Sequence, residues 1–275
     1  MKIPEKIPQP LLSGWVSDIR ATEETSPKLP LSLVVITLNE ERNIERCIRS
    51  VPFAKEIIVV DSFSEDKTVK IAETLGAKVI QRKFTGYRDQ KQFAMEQAKE
   101  SWILSLDADE ALSPDLKREL PHLLLRQDAD GFRIPRCSFH LNKWIRHGGW
   151  YPDYQNRLFK RGLGKWVGGE VHEHLEISGV VVTLEHDLQH FVFSGLSDQI
   201  DTNNEFSSLG AKDLKAKGES FSILKLVFRP MGKFLESYFW KRGFLDGAPG
   251  LIIALGAAQS LFLRYAKLWE MDLDR

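Results

Sequence analysis

The chain has 275 residues, enough to bury a sizeable core, and its length predicts one large domain or one domain with an appendage. Apolar residues make up 43% of the sequence and charged residues 28%, as in ordinary globular proteins. Lys plus Arg and Asp plus Glu are balanced at 38 each, so no overall positive field would attract nucleic acid. We therefore predict no nucleic-acid partner.

Residues 1–30 are rich in proline and charge and are interpreted as an N-terminal extension. Prolines interrupt the start of the chain and no apolar core follows, so no secretory signal is predicted. The two cysteines are too few for a disulfide framework. Together these features favour a protein of the reducing cytoplasm.

Residues 31–127 alternate between apolar runs of strand length and amphipathic helices. Leu31–Leu38 is a continuous apolar run of the kind found in a parallel sheet buried on both faces, and apolar residues then recur on one face of a helix from Ile44 to Val51. Further strands are predicted at Glu56–Val60, Lys78–Ile80 and Trp102–Leu106, and further helices at Val69, Ala72 and Leu75 with Gly76 after the end, at Asp89–Lys99, and after Ser113-Pro114. This alternation predicts an α/β fold, with a mostly parallel sheet and helices on both of its faces.

The second half of the chain has a different pattern. Short strands and aromatic residues between Gly131 and Phe193 predict mixed or antiparallel sheet, and the chain is predicted to be helical from Leu196. The apolar segment Leu251–Leu263 is too short for a membrane span of about 20 residues. The predicted organisation is an extension (1–30), an α/β domain (31–195) in two halves (31–127 and 128–195), and a helical C-terminal region (196–275).

Polar side chains follow the predicted strands at their carboxyl ends, where ligands bind in open parallel sheets. They are Thr37, Asn39 and Glu40 after the first strand, Asp61 after the second, and Asp107 and Asp109 after the last. Neither GxGxxG nor GxxxxGK[ST] occurs at these positions, which argues against a dinucleotide oxidoreductase and a P-loop NTPase. A crevice lined with carboxylates suits a diphosphate held through Mg²⁺ or Mn²⁺, which take oxygen ligands.

Asp107 and Asp109 form a DxD pattern. In extended backbone, side chains at positions i and i+2 point the same way, so one carboxylate could bind the metal while the other holds a ribose or a metal-bound water. The alternative is an acidic turn that caps the next helix. The position directly after an apolar strand, with polar residues at the neighbouring strand ends, favours the metal site.

Three segments, VVITLNEERNIERCI, IIVVDSFSEDKT and WILSLDADE, resemble the nucleotide-binding half of family 2 inverting glycosyltransferases, which have the GT-A fold. The resemblance covers residues 32–115 and extends through downstream blocks. It implies that the first half of the α/β domain binds the donor and the second half the acceptor. It also implies nucleoside contacts for Thr37, Asn39 and Glu40, a base contact for Asp61, a ribose and diphosphate contact for Asp107, and a metal contact for Asp109.

YPDYQNRLFKRG, GKWVGGEVHEHLE and the C-terminal KRGFLDGAPGLIIALGAAQSLFLRYAKLWE resemble a narrower branch, the lipopolysaccharide inner-core β-1,4-glucosyltransferases. This resemblance implies metal-dependent transfer of a hexose, glucose being favoured, from a UDP-sugar to a lipid-linked saccharide. The implied location is peripheral, on the cytoplasmic face of the inner membrane. Related sequences use several donors and acceptors, so the sugar itself does not follow.

An inverting transfer needs a base that takes the proton of the acceptor hydroxyl. Glu173 is the first candidate, with Glu170 and Asp153 as alternatives, because a carboxylate is a base at neutral pH without elaborate tuning. His172 is favoured among the histidines as a second metal ligand, and a histidine hydrogen-bonded within the fold is the alternative.

Five further residues have two interpretations each. Arg157, Lys160 and Arg161 could steady the diphosphate or an acceptor phosphate, or could be surface charges. Trp150 and Tyr151 could stack on sugar faces, or could be packing residues. The basic, aromatic C-terminal region is interpreted as resting on the membrane, and the alternatives are helices packed on the catalytic domain or a homo-oligomer contact.

Three other functions stay open. A polyprenyl-phosphate glycosyltransferase would differ only in its acceptor, and it often carries transmembrane helices, for which no predicted segment is long enough. A nucleotidyltransferase would show a glycine- and Lys/Arg-rich loop near the first strand, and the segment TLNE is not one. A sugar-nucleotide-binding protein without activity is disfavoured by the intact Asp107, Asp109 and Glu173.

Overall fold

The computed structural model of the protein describes residues 27–169 and 173–273. Its strands are β1 (Leu29–Thr37), β2 (Ala54–Asp61), β3 (Lys78–Gln81), β4 (Trp102–Asp107), β5 (Glu110–Leu112), β6 (Gly131–His140), β7 (Lys143–Ile145), β8 (Asp153–Lys160), β9 (Gly164–Val167), β10 (His174–Ile177), β11 (Val181–Thr183) and β12 (Leu188–His190). Its α-helices are α1 (Ile44–Arg49), α2 (Thr68–Thr74), α3 (Tyr87–Glu96), α4 (Pro114–Leu123), α5 (Leu196–Ala216), α6 (Ile223–Leu235) and α7 (Ala248–Leu273). A π-helical turn (Glu236–Trp240) and a 3₁₀ helix (Gly243–Asp246) connect α6 to α7.

The described residues divide into two compact units. The first contains residues 27–133, 156–169 and 173–184, and the second contains residues 134–155 and 185–273. Residues 1–26 of the predicted N-terminal extension lie outside the described residues. The functional division of the chain that the sequence suggested stays a prediction.

Five strands in the order β3-β2-β1-β4-β8 form the sheet of the first unit. The first four are parallel, with Val34 of β1 paired to Ile58 of β2 on one side and to Ser105 of β4 on the other. Strand β8 runs antiparallel to β4. Leu33, Val34 and Val35 are each at most 1% exposed, so both faces of β1 are covered. This confirms the α/β fold with its mostly parallel sheet.

A hydrophobic cluster fixes the sheet against helix α3. Ile58 and Ile103 pack with Ala94 and Met95 of α3 and with Phe159 of β8. Burial of apolar surface contributes about 25 cal/mol per Å² and is the main force that holds these elements together. Because parallel strands end at the same edge of a sheet, this packing brings the carboxyl ends of β1, β2 and β4 side by side.

Element boundaries follow local signals, with small corrections. Strand β1 begins at Leu29 and ends at Thr37 rather than spanning Leu31–Leu38, because its pairing with β2 covers those positions, and Leu38 beyond it is 51% exposed. Ser113 caps α4 as predicted, since its hydroxyl accepts the N–H of Leu116 at 3.2 Å. Gly76, at a φ of +82°, follows the end of α2 as predicted.

The second unit combines a small mixed sheet with helices. Strand β6 pairs antiparallel with β7 and parallel with β12, which confirms the predicted mixed sheet. Helix α7 packs against both α5 and α6. The predicted helical pattern from Leu196 onward is confirmed, and α5 begins at that residue.

The apolar C-terminal segment is longer than predicted. Leu251–Leu263 lies within α7, a helix of 26 residues with a mean hydropathy of 1.3 over its most apolar window. By length and composition alone this helix could cross a membrane, and 22% of that window is buried. The prediction that no segment is long enough to span is therefore wrong, because the helix continues through Arg264, where the apolar run in the sequence stops.

Candidate active site

A turn between β4 and β5 carries the DxD pattern. Asp107 is the last residue of β4, Ala108 and Asp109 form the turn, and Glu110 begins β5. The Glu110 carboxylate accepts the backbone N–H of Asp107 at 3.0 Å, which closes the turn. The expectation of extended backbone from Asp107 to Asp109 is therefore wrong. The turn is not the cap of the next helix either, because Ser113 fills that position.

Arg157 of β8 holds this turn from the neighbouring strand. Its Nη2 atom donates to Asp107 Oδ2 at 2.6 Å and to Glu110 Oε1 at 2.7 Å. Arg157 is 2% exposed and Glu110 is fully buried. Burial alone would lower the pKa of Arg157, but the charges of Asp107 and Glu110 outweigh that effect and raise it above the ordinary value. Arg157 is therefore part of the site and not a surface charge.

Lys91 of α3 connects the turn to Glu173. Its Nζ atom lies 2.9 Å from Asp107 Oδ1 and 3.0 Å from Glu173 Oε1, and Lys91 is 6% exposed. The ammonium group also lies 4.8 Å from the ring centre of Trp166, a distance typical of a cation–π contact. Because the same ammonium group contacts both carboxylates, Glu173 lies close to Asp107.

The loop after β1 is tied to the loop after β2. Asn39, at a φ of +55°, accepts the N–H of Glu65 at 2.8 Å and donates its own N–H to Ser64 at 2.8 Å. Asp61 is fully buried, and its carboxylate accepts the N–H and the hydroxyl of Ser64. Thr37 is paired with Asp61 across the sheet, and its buried hydroxyl has no hydrogen-bond partner in the described parts of the chain.

Glu40 lies in an environment that disfavours its negative charge. Burial raises its pKa above the ordinary value of 4.5, and the nearby charges of Asp109 and Asp66 raise it further. A hydrogen bond from Asn43 and the charge of Arg46 act in the opposite direction. Asp109 is half-buried, and its charge lies near both Glu40 and the guanidinium of Arg46.

Comparison with known proteins identifies the family. A model of the family described as glycosyl transferase family 2 matches residues 32–174. The chain belongs to glycosyltransferase family 2. It is 33% identical over 252 residues to the lipopolysaccharide core biosynthesis glycosyltransferase LpsC of Rhizobium meliloti, a match that covers 89% of this chain and 93% of that protein.

A second relative agrees with this assignment. An uncharacterized glycosyltransferase of Rickettsia bellii is 33% identical over 258 residues, covering 89% of this chain and 87% of that protein. A crystal structure of S. aureus TarS with UDP-GlcNAc shows a TM-score of 0.46 and 15% identity, covering 90% of this chain and 92% of that chain. Family membership confirms the resemblance that the three sequence motifs carried.

One carboxylate of the glycosyltransferase, Asp109, fits a divalent cation that binds together with the substrate. Both oxygens of Asp107 are in ion pairs, Oδ1 with Lys91 and Oδ2 with Arg157, so two buried cations already balance its charge. No group of three or more His, Cys, Asp or Glu side chains in residues 27–169 and 173–273 could hold a metal ion by itself. Mg²⁺ and Mn²⁺ often take one or two carboxylates and fill their remaining positions with water and phosphates. Asp109, a half-buried carboxylate in the turn after β4 and near Glu40, fits such a site.

Two basic residues of the glycosyltransferase lie away from the carboxylates. Lys160 pairs with Trp102 at the amino end of β4, about 17 Å along the strand from Asp107. Lys160 donates to Asp130 at 3.0 Å, and the neighbouring Arg161 donates to the Glu100 carbonyl at 3.1 Å. Because β8 runs antiparallel to β4, Lys160 and Arg161 lie away from the turn, and their contact with the diphosphate or an acceptor phosphate stays a prediction beside the surface-charge alternative.

Three predicted residues belong to the second unit. The Asp153 carboxylate accepts from both Nε and Nη2 of Arg136, at 2.9 and 2.6 Å. The Tyr151 hydroxyl donates to Asp187 at 2.8 Å, and burial together with this contact raises the pKa of Tyr151 to about 12. The ring of Trp150 contacts the rings of both His140 and Phe193, which also contact each other. Their proposed roles as base and sugar contacts stay predictions, and Glu170 and His172 lie outside the described residues.

The sequence interpretation missed Lys91 and Glu110 as members of the site, and it considered Trp166 only as a residue that could stack on a sugar or pack in the fold. Lys91 had a usable signal, because it lies on the same helical face as the buried Ala94 and Met95, where an unpaired lysine is very rare. Glu110 directly follows the DxD pattern, but nothing in the sequence shows that its side chain turns back to Asp107. Trp166 is 5% exposed and meets Lys91 only through the fold.

Proposed function

We propose that this glycosyltransferase moves a hexose, most simply glucose, from a UDP-sugar to a lipid-linked glycan such as a lipopolysaccharide core, with inversion at the anomeric carbon. The observation that carries the proposal is the set of carboxylates at the adjoining carboxyl ends of β1, β2 and β4, of which Asp107 is held by the buried cations Lys91 and Arg157. The LpsC relative, matched over nearly its whole length, supports the acceptor class. The proposed contacts between individual residues and the donor rest on the sequence resemblance.

In the proposed mechanism, Glu173 takes the proton of the acceptor hydroxyl. The acceptor oxygen then forms a bond to the anomeric carbon from one side, while the bond to the diphosphate breaks on the other. Lys91 fixes the direction of the Glu173 carboxylate through the 3.0 Å contact to Oε1. A divalent cation held by Asp109 would stabilise the negative charge of the leaving diphosphate.

The proposed donor contacts come from the loops after β1 and β2, which are joined by hydrogen bonds, and from the end of β4. Thr37, Asn39 and Glu40 would border the nucleoside, and Asp61 would lie next to the base. Asp107 would face the ribose and diphosphate with Arg157 and Lys91 balancing its charge. The protein would act on the cytoplasmic face of a membrane, where a lipid-linked acceptor is presented.

A product assay tests this function. The protein is incubated with UDP-glucose, Mn²⁺ and a core acceptor that ends in heptose, and released nucleotide and product linkage are measured. We expect UDP release and a β-linked glucose in the NMR spectrum of the product. Release of pyrophosphate from a parallel incubation with UTP and glucose 1-phosphate would instead indicate a nucleotidyltransferase, and no turnover with a full panel of donors would indicate a protein without activity.

One observation favours a second acceptor class. Helix α7 is long and apolar enough to cross a membrane by its length and composition, a feature that often accompanies polyprenyl-phosphate glycosyltransferases. The same assay separates the two acceptors when polyprenyl phosphate replaces the core saccharide. Transfer of glucose to the polyprenyl phosphate alone would select this alternative.

A further inference from the structure

Helix α6 exposes an apolar arc instead of burying it. At about 100° per residue, its six most exposed apolar side chains fall within an arc of about 140°. They are Ile223, Leu224, Val227, Phe228, Met231 and Leu235, and each is between 45% and 64% exposed. Pro230, about 20° beyond one edge of this arc, is the buried residue of the helix. A helix of a soluble domain normally turns its apolar arc toward the core, but α6 leaves most of this arc exposed.

The apolar surface continues after the helix. Phe239 and Trp240 of the π-helical turn are 55% and 86% exposed, and Phe244 and Leu245 of the 3₁₀ helix are 46% and 52% exposed. Contiguous apolar patches of this kind mark interaction sites. Tryptophan gains more than most side chains from leaving water, so Trp240 is the strongest single indication of a partner.

Basic side chains border this surface. Lys225 lies about 60° beyond the edge of the apolar arc, Arg229 lies on the opposite side of the helix near the Tyr265 ring, and Lys241 and Arg242 directly follow Trp240. From Glu219 to Arg242 the segment has five basic residues against two acidic ones, a net charge of +3. Glu219 pairs with Lys225, and Glu236 pairs with Lys233 and Lys241, which leaves the excess positive.

This combination fits an anionic lipid surface better than a second copy of the chain. The centre of a protein interface is depleted of charge, and two copies of this segment would bring like charges together. A helix that lies in a bilayer interface has Trp, Phe and Leu on one face and Lys or Arg on the polar face. Helix α6 has 13 residues, too few for the roughly 20 that cross a membrane, so it would lie in the plane of the bilayer.

We propose that residues 223–245 form a membrane-insertion face that binds anionic bilayers, with Phe228, Met231 and Trp240 in the acyl boundary and Arg229 and Arg242 at the headgroups. The inference deepens the lipid-linked acceptor of the proposed function, because it names the surface that meets the lipid. It is tested by binding alone, so it can fail or succeed independently of turnover.

The test is co-sedimentation of the full chain with vesicles of phosphatidylglycerol and phosphatidylcholine in equal parts, against vesicles of phosphatidylcholine alone. We expect binding to the anionic vesicles that weakens as salt is added. Phe228→Ser with Met231→Ser should weaken it at least 10-fold, and Arg229→Gln with Arg242→Gln should weaken it roughly 30-fold. Leu125→Ser, an equally polar change at a residue that is 74% exposed in the first unit, should leave it unchanged.

Circular dichroism and sedimentation velocity accompany each variant, so that loss of binding with an intact fold supports the proposal. Three results would overturn it. One is wild-type binding by both double variants. Another is bound protein that resists salt and alkaline extraction, which would assign the attachment to α7 as a spanning helix. The third is a wild-type dimer that Phe228→Ser with Met231→Ser dissociates, with no vesicle binding by either form.

Discussion

At the scale of single residues, Glu40 is a carboxylate that folding keeps from ionising easily. Burial raises its pKa, and Asp109 and Asp66 add to the effect. The folded protein therefore holds the proton of Glu40 more tightly than the unfolded chain does. Stability from this source is complete below a pH of about 4.5 and is lost as the pH rises through the folded pKa.

Replacement of Glu40 by Gln removes this dependence. The variant should be more stable than the wild type at pH 7 without metal, and the difference should vanish toward pH 4, because Gln carries no charge at either pH. Urea unfolding at several pH values measures it. Glu73→Gln, at an exposed position of α2, should differ from the wild type by less than about 0.5 kcal/mol at every pH. A Glu40→Gln variant that is less stable at pH 7 would contradict the account.

Glu173 is the residue whose role as base can be separated most cleanly from its alternatives. Glu173→Gln keeps the size of the side chain but cannot take a proton, so kcat should fall roughly 100-fold or more while the KM for the donor changes little. Glu170→Gln and Asp153→Asn are the matched comparisons and should retain most of their activity. If one of them shows the loss and Glu173→Gln does not, the base is assigned to that residue instead.

At the scale of elements, the turn between β4 and β5 depends on a cation from β8. Arg157→Met would leave Asp107 and the buried Glu110 without their shared partner, and breaking a buried ion pair from one side costs roughly 3 to 5 kcal/mol. Lys160→Met is the matched control on the same strand, because the Lys160–Asp130 pair is about 30% exposed and such pairs contribute about 1 kcal/mol or less. If urea unfolding shows that the two variants lose the same free energy of unfolding, Arg157 does not hold the turn.

The elements also show what the sequence could and could not predict. Strands β1, β2 and β4 were predictable because each is an apolar run that ends in polar residues, and their parallel arrangement brings those residues together. The antiparallel direction of β8 left no local signal, so Arg157 could not be separated from Lys160 and Arg161. The turn at Asp109 was missed because a DxD pattern is equally compatible with extended backbone, and the side chain of Glu110 decides between the two.

At the scale of the whole molecule, the two units carry different chemistry. The first contains the carboxylates, their buried cations and Glu173, and the second contains the exposed apolar and basic surface of residues 223–245. The family model matches residues 32–174 and so covers the proposed donor site but not this surface. The length of α7 escaped the sequence interpretation because a single arginine ended the apolar run without ending the helix.

The measurement that tests the central claim most directly is a thermal-shift panel of UDP, GDP, CMP and dTDP, each with and without Mn²⁺, on the wild type and on Asp109→Asn. The account predicts that UDP stabilises the wild type only when Mn²⁺ is present, by roughly 2.7 kcal/mol at 100 times its Kd. Asp109→Asn should unfold at or slightly above the wild-type temperature without ligand, because it removes repulsion with Glu40, and it should show no metal-dependent shift. If no nucleotide stabilises the wild type under any metal condition, or if Asp109→Asn responds as the wild type does, the carboxylates are not a metal-dependent donor site.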